Sequence, residues 1–403
     1  MYKLTTITTL FLLFFNQVLF AQWKQMDSLA RATNSFASSG NRLYAGTNTN
    51  GFYYSMDSGF TWTSSNQGLN ALNVREIAAH DSITIAGCQG GVYRSTDYGL
   101  TWSQANNGIT GLEIVSAIFR GDSLLIGSYG GGVFLSLDYG LNYTPINNGL
   151  SDHYVSCLFT NNNRIFAGIQ YGGGGIFVSD DNGATWIQKV NGVPISPWNP
   201  NKYDDIKSFT KSNQSIFAST FYSGVLKSDD NGESWTQIPI ANRAIWTLAS
   251  LNDTIYSGHN GLGVIKSIDN GLTWEQDNEG LKDWDVYSLF VYNSYLFAGT
   301  NLGYVYRLQI GEVITNNTYE PFQLSSSVYP NPVTDLSKIV FTVPNNHAST
   351  VQIIDIEGKL IDEFSASPNT DILIPVSKLS AGMYLYIIKD ENSILSNGKF
   401  IVN

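Results

Sequence analysis

One eight-residue pattern recurs six times and limits what this chain can fold into. It reads Ser95-Thr96-Asp97-Tyr98-Gly99-Leu100-Thr101-Trp102 in its second copy, and its copies begin at residues 55, 95, 136, 179, 228 and 267. A period near 40 residues, with strand-like sequence between copies, is the signature of a repeat array. Within each copy Asp and then Gly two residues later stand between β-formers, which is hairpin-turn chemistry: the carboxylate accepts nearby backbone N–H groups and Gly supplies a positive φ. Thr and Trp then open the next strand, where β-branched and aromatic side chains pack well. The third copy carries Asn142 and Tyr143 in their place but keeps Ser136, Asp138 and Gly140.

A second marker accompanies the first. Strands ending in Ala-Gly or a relative of it occur seven times, from Leu43-Tyr44-Ala45-Gly46 to Leu296-Phe297-Ala298-Gly299. Each unit therefore predicts an inner strand, the Ala-Gly strand, a third strand running into the turn, and an outer strand opened by the Trp. Four short strands per unit of this length make a propeller blade. The seventh unit lacks the eight-residue pattern, and Gln22-Trp23-Lys24-Gln25 resembles Thr273-Trp274-Glu275-Gln276. The predicted fold is all-β: a seven-bladed β-propeller over 22–310, closed by an N-terminal strand with Trp23 in the seventh Trp position, followed by a small C-terminal β-sandwich.

The eight-residue pattern resembles the Asp-box, or BNR repeat, of sialidase-like β-propellers. That resemblance implies structural turns, so Asp57, Asp97, Asp138, Asp180, Asp181, Asp229, Asp230 and Asp269 are expected to be scaffold, not acids that do chemistry or bind metal. The tail carries separate signals: Tyr329-Pro330-Asn331-Pro332, Ile353-Ile354-Asp355-Ile356-Glu357-Gly358-Lys359, Leu379-Ser380-Ala381-Gly382-Met383-Tyr384 and a terminal Gly398-Lys399-Phe400-Ile401-Val402. Their order resembles the type A C-terminal sorting domain of the type IX secretion system. It implies that 329–403 is recognised by the type IX translocon, with 311–328 as a polar linker.

Lys3 followed by the apolar run through Leu10–Phe15 reads as a secretory signal over 1–21. The expected location is secreted or on the outer-membrane surface, reached through the periplasm. A formal charge of −11 without a basic run argues against nucleic acid, and no later stretch is apolar enough to span a membrane. Cys88 and Cys157 fall in non-adjacent repeats and are expected to be unpaired thiols. Four scattered His and two Cys supply no metal site, and no cofactor motif is present; Gly172–Gly175 lacks the lysine and helix of a phosphate loop. A monomer is expected.

In a propeller the boxes lie on one face, and the crossovers and the turns between second and third strands lie on the other. Function is expected on that other face, because loops carried by a rigid frame hold binding groups. Its candidate ligand-binding residues are Tyr129, Tyr171, Trp198, Tyr203, Tyr222, Trp246, His259 and Trp284, with Phe221, Asp204 and Asp205 beside them. Aromatics beside carboxylates suit sugar rings. The expected partner is a polysaccharide or a surface protein. The alternative is a glycoside hydrolase of the Asp-box propeller kind, with Asp205 and Asp285 as acid and base if their separation suits inverting hydrolysis. A sialidase needs an arginine cluster; Arg31, Arg75 and Arg243 fall toward the same face, but no Arg-Ile-Pro stretch precedes the first repeat.

Overall fold

The computed structural model describes 22–310, apart from 30, 31, 172, 239 and 241–243, and most of 326–402, apart from 330, 331, 335, 336, 342–348, 356–358, 367–371 and 390–393. The expected leader 1–21, residues 311–325 of the expected linker, Arg31, Arg243 and Gly172 lie outside the described residues. The chain divides into two compact units, Met1–Glu312 and Val313–Asn403.

In the first unit the described residues form seven four-stranded antiparallel sheets. Their first strands are Thr33–Ser39, Val74–His80, Ile114–Arg120, Val155–Asn161, Ile206–Ser212, Ile245–Leu251 and Val286–Tyr292; we number the sheets one to seven in that order. Each first strand packs on the next, and Val286–Tyr292 packs back on Thr33–Ser39. The sheets therefore stand as radial blades around a common centre, the arrangement of a β-propeller.

The Ala-Gly marker marks where blades touch. Second strands such as Arg42–Thr47 and Ser123–Ser128 are buried along almost their whole length, between the neighbouring sheets. A Cβ on Gly46 would lie 2.6 Å from Val74 of the next sheet, and one on Gly127 would lie 2.7 Å from Val155. No larger residue fits without parting the sheets. The core is thus a series of inter-sheet layers, such as Tyr44, Phe52, Val74, Ile77, Ala86 and Trp102 between sheets one and two.

The repeated turn is built by its own side chains. The Ser95 hydroxyl donates to Asp97 Oδ1 at 2.6 Å and accepts the Gly99 N–H at 2.8 Å. Asp97 also accepts the Thr101 N–H at 2.9 Å and the Thr101 hydroxyl at 2.6 Å. Tyr98 and Gly99 both take positive φ, 62° and 83°, so the hairpin turns with the twist of its strands. In the third copy the Asn142 side-chain amide replaces the hydroxyl and donates to Asp138 at 2.7 Å. Where two aspartates are adjacent, only the second closes the turn. Asp181 and Asp230 hold Thr185 and Ser234. Asp180 pairs instead with Arg164 at 2.7 Å, and Asp229 accepts from the Ser215 hydroxyl and lies 3.2 Å from Lys227. Asp180 and Asp229 are therefore corrected from turn formers to surface pairs, because their side chains point away from the loop that Asp181 and Asp230 face.

Sheet seven takes its outer strand from the other end of the chain. Lys24–Ser28 pairs antiparallel with Tyr304–Gln309, Lys24 opposite Arg307. Trp23 is 2 % exposed; its indole N–H donates to the Asp277 carbonyl at 2.6 Å and its backbone N–H to the Glu279 carbonyl at 2.9 Å. The repeat tryptophan Trp102 makes the equivalent pair of bonds to Ser65 and Gln67 of the preceding sheet.

The second unit holds a three-stranded and a four-stranded antiparallel sheet around one apolar core that includes Ile339, Val351, Ile353, Tyr386 and Phe400. Ser326–Tyr329 is already a strand, paired with Lys338–Phe341. A boundary at 329 therefore falls inside an element; the linker as predicted runs three residues too far.

Candidate functional site

Each of the seven first strands begins with the same irregularity. In sheet two Val74 pairs with Cys88 and Glu76 with Gly87, leaving Arg75 unpaired. The same one-residue bulge isolates Asn34, Val115, Ser156, Lys207, Trp246 and Tyr287 in the other sheets. A bulge re-aims the extra side chain out of the sheet plane. Here all seven line two adjoining cavities of about 500 and 530 Å³ that share Arg75, Val115 and Trp246. The flanking positions are apolar, or small and hydroxylic in most sheets. They hold the frame while the bulge position is free to vary.

A second tier comes from the residues just beyond the second strands. Asn48, Tyr129, Gln170 and Phe221 line the cavities, and their backbone N–H groups donate to the carbonyls of Ala32, Glu113, Tyr154 and Asp205. Together the tiers make a mouth with two unlike halves. One half is aromatic. Tyr129, Tyr154 and Tyr171 form an edge-to-face triad with ring centres 5.0–5.9 Å apart. Beside it Trp198, Tyr222, Phe221, Trp246 and Tyr287 form a chain of ring contacts of 6.2, 4.6, 5.4 and 5.6 Å. The other half is polar, with Asn34, Asn48, Asn73 and Arg75, the last paired to Glu113 at 2.7 Å.

The charges at the mouth are partly desolvated. Lys207 places its ammonium 4.9 Å from the Phe221 ring centre and 5.5 Å from that of Trp246. Burial pulls its pKa down, against the pull of Asp205. Burial pushes the Asp205 carboxyl up, although Asp205 accepts the Tyr171 N–H at 3.0 Å. The Tyr129 phenol is also raised, by burial first and then by Tyr171 and the carboxylates of Glu113 and Asp205.

Of the residues expected here, Tyr129, Tyr171 and Trp246 line the cavity, and Trp198 (78 % exposed) and Tyr222 extend it. His259 does not reach the face. It ends the second strand of sheet six, one residue before the loop, and at that position every sheet turns its side chain inward. It is fully buried, bonds Ser257 at 2.9 Å, and burial holds its pKa down at about 4. Tyr203 is partly buried, pairs with Ile195 across the crossover and packs on the apolar layer of Trp235. Trp284 is exposed and stands outside the aromatic chain; its carbonyl accepts the Gly263 N–H. Asp204 is buried and spent on the backbone N–H groups of Asp205 and Tyr222. Asp205 and Asp285 precede the first strands of sheets five and seven, and the intervening sheet contributes Trp246. Lys207, Tyr154, Tyr287, Glu113 and the three asparagines were missed. Aligning the repeats on the residue after the β-branched first position of each inner strand would have found the bulge set.

Cys88 and Cys157 are unpaired, with burial raising both thiols to about 12. Among the described residues no cluster of His, Cys, Asp and Glu could hold a metal ion, and no helix is long and apolar enough to cross a membrane.

Solved structures share the architecture at low identity, so the likeness is one of fold. PorZ of Porphyromonas gingivalis, described as an essential bacterial surface component of the type-IX secretion system, matches at 13 % identity and TM-score 0.58. The match covers 94 % of this chain and 60 % of PorZ, so this chain spans less than two thirds of that protein. YCF48 bound to D1 peptide matches at 14 % and 0.59, over 73 % of this chain and 99 % of YCF48. The GH74 xyloglucanase of Xanthomonas campestris matches at 13 % and 0.56, over 80 % of this chain and 59 % of the enzyme. No curated protein sequence matches the chain. Residues 327–403 match the secretion system C-terminal sorting domain. The chain is accordingly cargo of the type IX secretion system, exported to the cell surface or released from it.

Proposed function

We propose that the exported unit is a seven-bladed Asp-box propeller that binds glycan through the mouth opposite the box turns. Seven sheets whose first strands pack around a closed circuit support the blade count, and the Ser-Asp-Gly-Thr bonding of the turns supports the Asp-box assignment. The observation that carries the binding role is the aromatic chain from Trp198 to Tyr287, set against side-chain amides across cavities of about 500 Å³. Apolar sugar faces stack on exposed rings while amides and tyrosines take the hydroxyls. A cavity of this size holds a few sugar units.

The full exported chain, run through gels containing neutral and acidic plant, algal and host polysaccharides, is expected to be retarded by at least one of them. Trp246→Ala should weaken that retardation about tenfold or more, in line with the loss of a central aromatic anchor. No retardation by any polymer, or an unchanged Trp246→Ala variant, would overturn the proposal. The raised carboxyl of Asp205 keeps a second reading in play, a glycoside hydrolase whose acid is Asp205. Released reducing ends that vanish in Asp205→Asn would establish it over simple binding.

A further inference from the structure

We propose that the glycan carries an acidic group, a carboxylate or a sulfate ester, that seats on the Lys207 ammonium; this rests on the glycan-binding role above. Lys207 is the bulge residue of sheet five and lines the cavity. It is partly buried, and among the described residues its ammonium makes no hydrogen bond and no ion pair; it lies over the Phe221 and Trp246 rings, in the field of Asp205 and Asp204. The neighbouring carboxylates attract it without forming a direct ion pair, and their oxygens bond backbone groups. Asp204 accepts two backbone N–H groups, and Asp205 accepts the Tyr171 N–H. A partly desolvated cation with no direct ion pair gains from a charge-assisted contact.

Arg75 supplies a second, independent donor in the same cavity. One of its terminal nitrogens holds Glu113, but its Nε is buried and unpartnered. An acidic sugar suits this pairing of groups. Its ring offers an apolar face to Trp246 and Phe221, and its acidic substituent lies at the ring edge, where the ammonium waits. Neutral sugars stack equally well and offer hydroxyl acceptors, but give Lys207 and Arg75 no anionic partner.

The test measures affinity of the full exported chain for four polymers: polygalacturonate, its carboxyl-reduced neutral form, a sulfated galactan and xyloglucan. At least one acidic polymer should bind about tenfold or more tightly than the neutral ones, the scale of one charge-assisted contact. Lys207→Met should abolish that preference while Lys207→Arg keeps it, each checked for a native melting transition; Lys207→Gln serves if the Met variant does not fold. Preference for the carboxylate or for the sulfate polymer names the group. Equal binding of acidic and neutral polymers, or an acidic preference that survives Lys207→Met or Lys207→Gln, overturns the inference and leaves glycan binding standing. If none of the four polymers binds while others in the broader panel do, the inference fails alone. If nothing in either set binds, both fail.

Discussion

Two kinds of single carboxyl group in this protein give pH dependences of opposite sign. The turn aspartates Asp138, Asp181 and Asp269 are held at about 2 by the side-chain donors Asn142, Thr185 and Thr273 and then by backbone N–H groups. A carboxyl whose folded pKa is depressed stabilises the fold above its ordinary pKa, and that contribution is lost as pH falls toward the folded value. Asp181→Asn should therefore melt below the wild type at pH 6, with the gap closing between pH 4 and pH 2. Melting curves at stepped pH check this; a constant gap contradicts it. Glu76 stands where most sheets carry Ser or Thr. Burial raises it to about 8, against the Ser35 hydroxyl that bonds it at 3.2 Å. Here the folded pKa lies above the ordinary one. Stability is full below pH 4.5 and declines as pH rises toward 8. Glu76→Gln should match the wild type near pH 4.5 and melt higher at pH 8. The turn role of the aspartates was legible in the sequence because the interacting groups lie within five residues. The inward turn of His259 was not. It depends on strand parity, and a shift of one residue reverses which way a side chain points.

Elements owe their placement to close approach as much as to apolar pattern. The Ala-Gly strands and the box turns were both readable, since each repeats with little change. The seven bulges were hidden, because a bulge is a mismatch in pairing between two strands and leaves no fixed residue type at the extra position. That is also why the mouth was found only in part. Its aromatic half was found mostly from loop residues, whereas Lys207, Tyr287 and Asn34 sit inside strands. The N-terminal strand offers the sharpest test at this scale. Trp23→Ala removes a buried indole that bonds Asp277, and should destabilise the first unit by about 3–5 kcal/mol in denaturant titration. Deleting 22–26 should lower the melting temperature further. An unchanged melting curve would show that the ring closes without the strand.

At the scale of the whole molecule two units divide the labour. The sorting domain at 327–403 directs export, and its removal should leave the first unit in the periplasm, detected by fractionation and immunoblot; normal export of the truncated chain would contradict that assignment. The first unit is a ring whose box aspartates are engaged by Ser, Thr or Asn side chains and backbone N–H groups of their own turns, while its variable chemistry is concentrated at the opposite mouth. The binding account is tested most directly by hydrogen–deuterium exchange of the full exported chain with and without a saturating bound polysaccharide. Protection is predicted in 169–171, 205–209, 219–222 and 245–247, with the box turns unchanged. Protection confined to the box turns or to 327–403 would place the binding surface elsewhere and contradict the account.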